Sequence, residues 1–82
     1  SPIADVAVYY DERNVKDALL LANELRNRNR RVLCLQHHES TSSVYESICT
    51  ISFVKGKITM THNQNERQFT NVKSVLQYIV EK

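Results

Sequence analysis

Asp5 to Leu35 reads DVAVYYDERNVKDALLLANELRNRNRRVLCL, and this stretch decides the fold. The residues from Ile3 to Tyr10 are rich in Val, Ala and Tyr and nearly uncharged, which is typical of a strand covered on both faces. A second apolar run, Val32 to Leu35, follows a helical segment. A helix that joins two strands of one sheet makes those strands parallel, with a right-handed crossover. The stretch therefore predicts a strand–helix–strand unit in a small α/β domain.

The helix between these strands is predicted from Val15 to Asn27 or Asn29. Apolar residues recur at steps of three and four along one helical face, namely Val15, Ala18, Leu19, Ala22 and Leu25. Leu20 and Leu21 widen this face, which predicts that the helix packs against more than the sheet alone. Asn29 suits the left-handed conformation that ends many helices.

The polar segment after Leu35 carries few structural signals. Gln36 to Ser43 is predicted as a loop, and Ser43 to Ser47 as a single turn of helix. This middle helix is much shorter than the first one. The segment leaves the carboxyl end of a strand, where contact surfaces are common.

The remaining residues predict three strands. Ile48 to Val54 and Lys57 to His62 both alternate apolar and polar residues. The single glycine, Gly56, lies between them, which indicates a tight hairpin with the glycine at positive φ. Asn63 to Glu66 is predicted as a second turn, and Arg67 to Thr70 as a short edge strand.

A closing helix is predicted after a cap at Thr70 or Asn71. Its apolar stripe consists of Val72, Val75, Leu76, Ile79 and Val80. The order of elements predicts a three-layer α/β fold with a mixed sheet of about five strands, two main helices and a truncated middle helix. We expect one domain over residues 1–82, because a chain this short supports one core. If Ser1-Pro2 marks a boundary, the domain is a fragment of a longer chain.

The charge balance argues against several classes of protein. With 11 basic and 9 acidic residues, the net charge of +2 is not that of a dedicated nucleic-acid binder. RNA binding is therefore permitted but not indicated. No apolar run approaches the ~18 residues of a membrane span, and the first residues lack the features of a signal peptide. These observations predict a cytoplasmic chain with no membrane partner.

The cysteines and histidines do not suggest a metal site. Cys34 and Cys49 fit no zinc or redox spacing and are interpreted as buried thiols, with a disulfide only if their strands are neighbours. His37, His38 and His62 could approach Cys34, but a metal needs three or four ligands around one point. Adjacent residues of an extended segment point apart, so we predict solvated loop histidines and no bound metal.

Catalysis is not indicated either. Cys34 ends a parallel strand, yet no small residues follow it that could hold an oxyanion or a phosphate. One glycine in the chain rules out a P-loop and a dinucleotide fingerprint. Asp11, Glu12 and Asp17 are interpreted as helix caps and partners of the helix dipole. We therefore predict no catalytic residues and no cofactor.

A basic cluster lies at the end of the first helix. It consists of Arg26, Arg28, Arg30 and Arg31, interleaved with Asn23, Asn27 and Asn29. A solvated face that keeps the domain soluble is one interpretation. Contact with a phosphate backbone or an acidic protein surface is the other.

Three stretches, DVAVYY, ALLLANELRNRNRRV and TNVKSVLQYI, together form a known pattern. The chain resembles the C-terminal anticodon-binding domain of class II aminoacyl-tRNA synthetases of the histidyl type, which carries a comparable Ala-Leu-x-Leu-Ala-x-x-Leu-Arg string. The most specific part is Ala18 to Arg26, followed by Arg31-Val32. Two departures stand out: only twelve positions separate Leu35 from Ile48, where the synthetases have a full helix, and Asn29 replaces a turn glycine.

These departures, with the strand VLCLQ, are similar to the regulatory subunit of ATP phosphoribosyltransferase. That subunit is a catalytically silent histidyl-synthetase paralogue, which assembles with a short-form catalytic subunit in histidine biosynthesis. The resemblance implies a non-catalytic domain that contacts the catalytic subunit or the rest of its own chain. Two alternatives remain: an anticodon-binding domain that binds tRNA, and the synthetase-like region of a eukaryotic stress-response kinase.

The predicted contact surface combines the loop after the second strand with the nearest basic residues. Its members are Gln36, His37, His38, Glu39, Arg26, Arg28, Lys55 and Lys57. In the tRNA alternative, the arginines and lysines of this surface would contact phosphates.

Overall fold

The computed structural model describes residues 4–36 and 47–80. Five strands form one mixed sheet: β1 (Ala4–Tyr10), β2 (Val32–Gln36), β3 (Ser47–Val54), β4 (Lys57–His62) and β5 (Asn65–Phe69). Their order is β2-β1-β3-β4-β5, with β1 parallel to β2 and β3 and the other pairs antiparallel. The two helices are α1 (Val15–Asn27), preceded by a 3-10 turn (Glu12–Asn14), and α2 (Val72–Val80). The predicted α/β class and mixed five-stranded sheet are confirmed.

The core lies between the sheet and the two helices, which pack on the same sheet face. Alternate residues of β1 and β3 point into it, including Val6, Val8, Ile51 and Phe53. From α2, Val72 and Val75 belong to the same cluster. The predicted alternation in β3 is thereby confirmed, since its odd-numbered residues face the helices.

The buried face of α1 differs from the predicted one. Ala18, Leu21, Ala22 and Leu25 are fully buried, whereas Leu19 is 44% and Val15 36% exposed. The placement of Val15, Leu19 and Leu20 on the packing face was wrong, since Leu20 is 52% exposed. Because α1 also contacts α2, its buried stripe is turned toward the side of Leu21. This contact confirms the expectation that α1 packs against more than the sheet.

Residues with positive φ end α1 and form both hairpins. Asn29 has φ 64°, as predicted for the residue after the helix. Lys55 and Gly56, at φ 56° and 74°, form the turn between β3 and β4. Asn63 and Gln64, at 53° and 67°, form the next one.

The second hairpin corrects one predicted boundary. β5 begins at Asn65, so Asn65 and Glu66 belong to the strand rather than to a four-residue turn. The two residues with positive φ that precede them suffice to reverse the chain, as in other two-residue hairpins. Gln68 and Phe69 then continue the pairing with β4.

The start of α2 confirms a cap at Asn71. Its Oδ1 atom accepts hydrogen bonds from the Ser74 backbone N–H at 2.8 Å and from the Ser74 hydroxyl at 2.9 Å. A side-chain acceptor at this position satisfies one of the N–H groups that a helix start leaves without an intrahelical partner.

The predicted loop after β2 lies mostly at residues 37–46, which are outside the described residues. The truncated middle helix of the predicted three-layer fold lies mostly there too. The two ends of this segment correct the prediction. Gln36 is the last residue of β2 and Ser47 the first of β3, so neither belongs to a loop or to a helical turn. Pairing of Gln36 with Tyr10 and of Ser47 with Ala4 draws both into the sheet.

The described part of the chain contains no helix that is long and apolar enough to cross a membrane.

Candidate interaction surface

The described residues of the predicted contact surface lie at two opposite ends of the sheet. Gln36 ends β2 and Lys55 follows β3, at the carboxyl ends of parallel strands, and Lys57 begins β4 beside them. Arg26 and Arg28 lie at the end of α1, which returns the chain to the amino ends of β1 and β2. The structure does not bring these two groups together. His37, His38 and Glu39 lie outside the described residues.

Asp11 organises the carboxyl end of the sheet. Its Oδ2 atom accepts the Lys55 backbone N–H at 2.8 Å, and its own N–H donates to the Phe53 carbonyl at 3.0 Å. Its Oδ1 atom accepts the Arg13 N–H at 3.2 Å and the side-chain amide of Asn14. The Lys55 N–H, followed by the Asn14 amide, holds the pKa of Asp11 below its ordinary value. This geometry confirms Asp11 as a cap.

At the amino end, two arginines make contacts within the domain. The Arg26 guanidinium donates to the Val32 carbonyl at 3.0 Å, and the Arg31 guanidinium lies 3.2 Å from an oxygen of Asp5. The Arg31 backbone N–H, followed by its side chain, holds the pKa of Asp5 below its ordinary value. Arg28 and Arg30 are exposed beside them. Half of the basic cluster is therefore engaged in holding the end of α1 to the sheet.

The exposed apolar residues of α1 form a surface that the sequence pattern did not indicate. Leu20 is 52% exposed, more than Leu19 or Val15, and it points away from the sheet. One signal in the sequence could have revealed it. The residues four positions before and after Leu20 are Lys16 and Glu24, so this leucine lies within the polar face of the helix.

Neither cysteine has the environment of a nucleophile. Cys34 and Cys49 are partly rather than fully buried, and β1 separates their strands, so the condition for a disulfide is not met. Burial raises the pKa of Cys49 to about 11. Burial also raises the pKa of Cys34, although Arg26 opposes this. A catalytic thiol needs the opposite shift, since the thiolate is the reactive form.

Metal-binding side chains do not converge within residues 4–36 and 47–80. No group of three or more His, Cys, Asp or Glu there is placed to hold an ion. His62 lies at the end of β4, with β1 and β3 between it and the strand of Cys34. These two residues therefore do not form part of one site.

A small hollow lies between the ends of the two helices. Its volume is about 230 Å³, and its walls include Val6, Leu25, Met60 and Ile79, with Arg30 beside them. Ligand pockets usually measure roughly 300–1,000 Å³. This hollow is smaller than that range.

A comparison with known protein families finds no match for this sequence, and no curated protein matches it.

Proposed function

We propose that this chain is a non-catalytic accessory domain of a histidyl-tRNA-synthetase-like regulatory subunit of ATP phosphoribosyltransferase. It acts by protein–protein contacts, with the short-form catalytic subunit or with the rest of its own chain. The observation that carries the proposal is the exposure of two adjacent leucines on α1, Leu19 at 44% and Leu20 at 52%.

The energetics of these leucines favour a protein partner. Complete burial of a leucine side chain is worth about 1.5–3 kcal/mol, so covering a half-exposed one contributes about 1 kcal/mol to association. Such residues mark interaction sites when they are grouped on one element. Leu19 and Leu20 also lie within Ala18 to Arg26, the string that carries the resemblance to the synthetase family.

The basic residues favour a protein partner over tRNA. Arg26 donates to a backbone carbonyl and Arg31 pairs with a carboxylate, so both guanidinium groups have partners inside the domain. A net charge of +2 gives only weak long-range attraction to a polyanion. The raised pKa of both thiols supports the non-catalytic part of the proposal.

The test is a binding measurement between this chain and the short-form catalytic subunit of the same organism, by sedimentation velocity. We expect a complex that Leu20→Glu weakens, because a charge there opposes burial. Gln77→Glu is the matched control, since it adds the same charge at an exposed position on α2. Equal binding by both variants would contradict the proposed contact surface, and no complex with the natural chain would exclude the catalytic subunit as the partner.

A second arm tests the tRNA alternative. Histidine tRNA is titrated into the chain at two salt concentrations, because phosphate contacts produce a steep salt dependence. Micromolar or tighter binding with a steep slope would replace our proposal by the anticodon-binding function. The proposed role is cytoplasmic, which fractionation of cells that make the parent protein tests directly.

A further inference from the structure

β2 forms one edge of the described sheet. The Val6 N–H donates to the Arg31 carbonyl at 3.2 Å, so the backbone groups of Arg31 face β1. Successive residues of a strand turn their backbone groups to opposite sides, so Leu33 also faces β1. The N–H and C=O groups of Val32, Cys34 and Gln36 then face away from the sheet. Donation by the Arg26 guanidinium to the Val32 carbonyl agrees with this direction.

Within residues 4–36 and 47–80, this edge lacks the usual protection against pairing. The strand reads VLCLQ, without a charged residue or a proline. Natural edge strands are commonly guarded by lysine, proline, a bulge or an inward-pointing charge. Within the described residues, Arg26 is the one side chain that donates a hydrogen bond to the outer side of β2. It bonds to the Val32 carbonyl alone, and a carbonyl oxygen can accept a second hydrogen bond.

The exposed apolar residues of α1 lie on the same side of the molecule. Val15, Leu19, Ala22 and Arg26 are separated by four, three and four positions, so they share one side of the helix, here called the α1 flank. Because Arg26 reaches the outer carbonyl of β2, the α1 flank lies above the free edge of β2. An open strand edge and two exposed apolar side chains, Leu19 and Val15, are therefore adjacent.

We propose that a second copy of this chain binds here, through antiparallel pairing of β2 with β2 about a two-fold axis at Cys34. The pairing is self-complementary. Cys34 lies opposite the Cys34 of the second copy, and Val32 lies opposite Gln36. These are the residues whose backbone groups face outward, so each outward N–H finds a carbonyl. One isologous interface closes the dimer, and the outward backbone groups of β2 are then paired.

The spacing of the helices fits this arrangement. α1 contacts β2 and β1 more than β3, so the two copies of α1 would lie a little over two strand spacings, or roughly 10–12 Å, apart. Helices that pack against each other lie 8–10 Å apart. Leu19 is seven residues from Arg26, about 10 Å along the helix. Cys34 is two residues from Val32, about 7 Å along the strand. Because Arg26 contacts Val32, these two lengths start from the same place, and they differ by about 3 Å, which is less than one helical turn. Leu19 therefore lies close to the two-fold axis and meets the α1 flank of the second copy.

This inference rests on the protein-contact function proposed above and adds a partner to it. The two surfaces share Leu19 but differ at Leu20, which is turned away from the sheet and lies outside the α1 flank. The two proposals can therefore fail separately. If the chain dimerises but does not bind the catalytic subunit, the dimer proposal still holds. If a strictly monomeric chain binds the catalytic subunit, the proposed function still holds and the dimer proposal fails.

Sedimentation equilibrium of the 82-residue chain tests the dimer over a roughly hundredfold range of concentration. We expect a concentration-dependent dimer whose dissociation constant rises at least about tenfold in Leu19→Glu, since two carboxylates then meet near the axis. Leu20→Glu is the matched control and should leave the constant within about twofold. A natural chain that stays monomeric throughout would overturn the proposal, as would equal weakening by both variants.

Amide hydrogen exchange of the natural chain tests the register without any substitution. Exchange at the Cys34 and Gln36 amides should slow as the concentration rises, because these groups face the second copy. The Leu33 amide, which faces β1, is the internal control and should not respond. A dimer in which the Cys34 amide exchanges at an unchanged rate would refute strand pairing, even if Leu19→Glu fails to fold.

Discussion

Leu20 and Leu21 are neighbours with opposite environments, and replacing each by alanine separates fold from contact surface. Leu21 is fully buried, so Leu21→Ala should lower the free energy of unfolding by about 3 kcal/mol. At roughly 4–8 °C per kcal/mol for a domain of this size, the melting temperature falls by roughly 12–24 °C. Leu20 is 52% exposed and alanine is the better helix former, so Leu20→Ala should change stability by less than about 0.5 kcal/mol.

The assay is urea unfolding followed by far-UV circular dichroism, with the m-value as a check on two-state behaviour. A loss above about 1 kcal/mol in Leu20→Ala would mean that Leu20 packs within the domain, which removes the main ground for the contact surface. A loss below about 1 kcal/mol in Leu21→Ala would refute the orientation of α1. Both variants replace a leucine by alanine in the same helix, so the difference in helix propensity between these two residues cancels when the variants are compared.

Asn71→Ala should cost about 1 kcal/mol in thermal unfolding, because the cap on Ser74 is lost, and Asn71→Asp should restore most of it. Because the pKa of Asp11 is lowered in the folded protein, its contribution to the free energy of unfolding is complete above the unfolded-state pKa and is lost as the pH falls through the lower, folded-state pKa. Asp11→Asn should therefore make the free energy of unfolding, measured by urea titration, depend less on pH on the acid side. With a pKa of about 11, Cys49 should show no thiolate absorbance near the ordinary thiol pKa of ~8.5 in a Cys34→Ser variant, which removes the other thiol, and titration there would contradict its burial. Gly56→Ala should destabilise the hairpin by about 1 kcal/mol through its φ of +74° alone, since nothing lies within 4 Å of an added Cβ; an unchanged melting temperature would contradict that conformation.

The elements that were predicted correctly depend on short-range patterns. Apolar density placed β1, alternation placed β3 and β4, and Gly56 marked the first hairpin. Asn29 and Asn71 were recognised from the conformations and hydrogen bonds that asparagine favours at helix ends. Each of these signals lies within a few residues of the feature that it indicates.

The rotation of α1 could not be predicted from the same patterns. Leu19 and Leu21 are equally apolar, and both fit three- and four-residue spacings with Ala18, Ala22 or Leu25. The contact with α2 decides between them, and α2 lies at the other end of the chain. Exposure of Leu19, and with it the α1 flank, is thus a consequence of long-range packing.

Arg26 shows why a contact surface cannot be assembled from charge alone. In the sequence it belongs to a basic cluster that suggests phosphate binding, and the predicted contact surface includes it together with Lys55 and Lys57. The crossover carries it to the opposite end of the sheet, where its guanidinium meets a carbonyl of an edge strand. Had all outward groups of β2 been capped in this way, the edge would be closed. Because the Arg26 guanidinium takes up part of the Val32 carbonyl alone, and that carbonyl can accept a second hydrogen bond, Arg26→Ala should leave the dissociation constant of the dimer within about twofold. Sedimentation equilibrium measures this constant, and a change of about tenfold or more would mean that Arg26 itself controls pairing at the β2 edge.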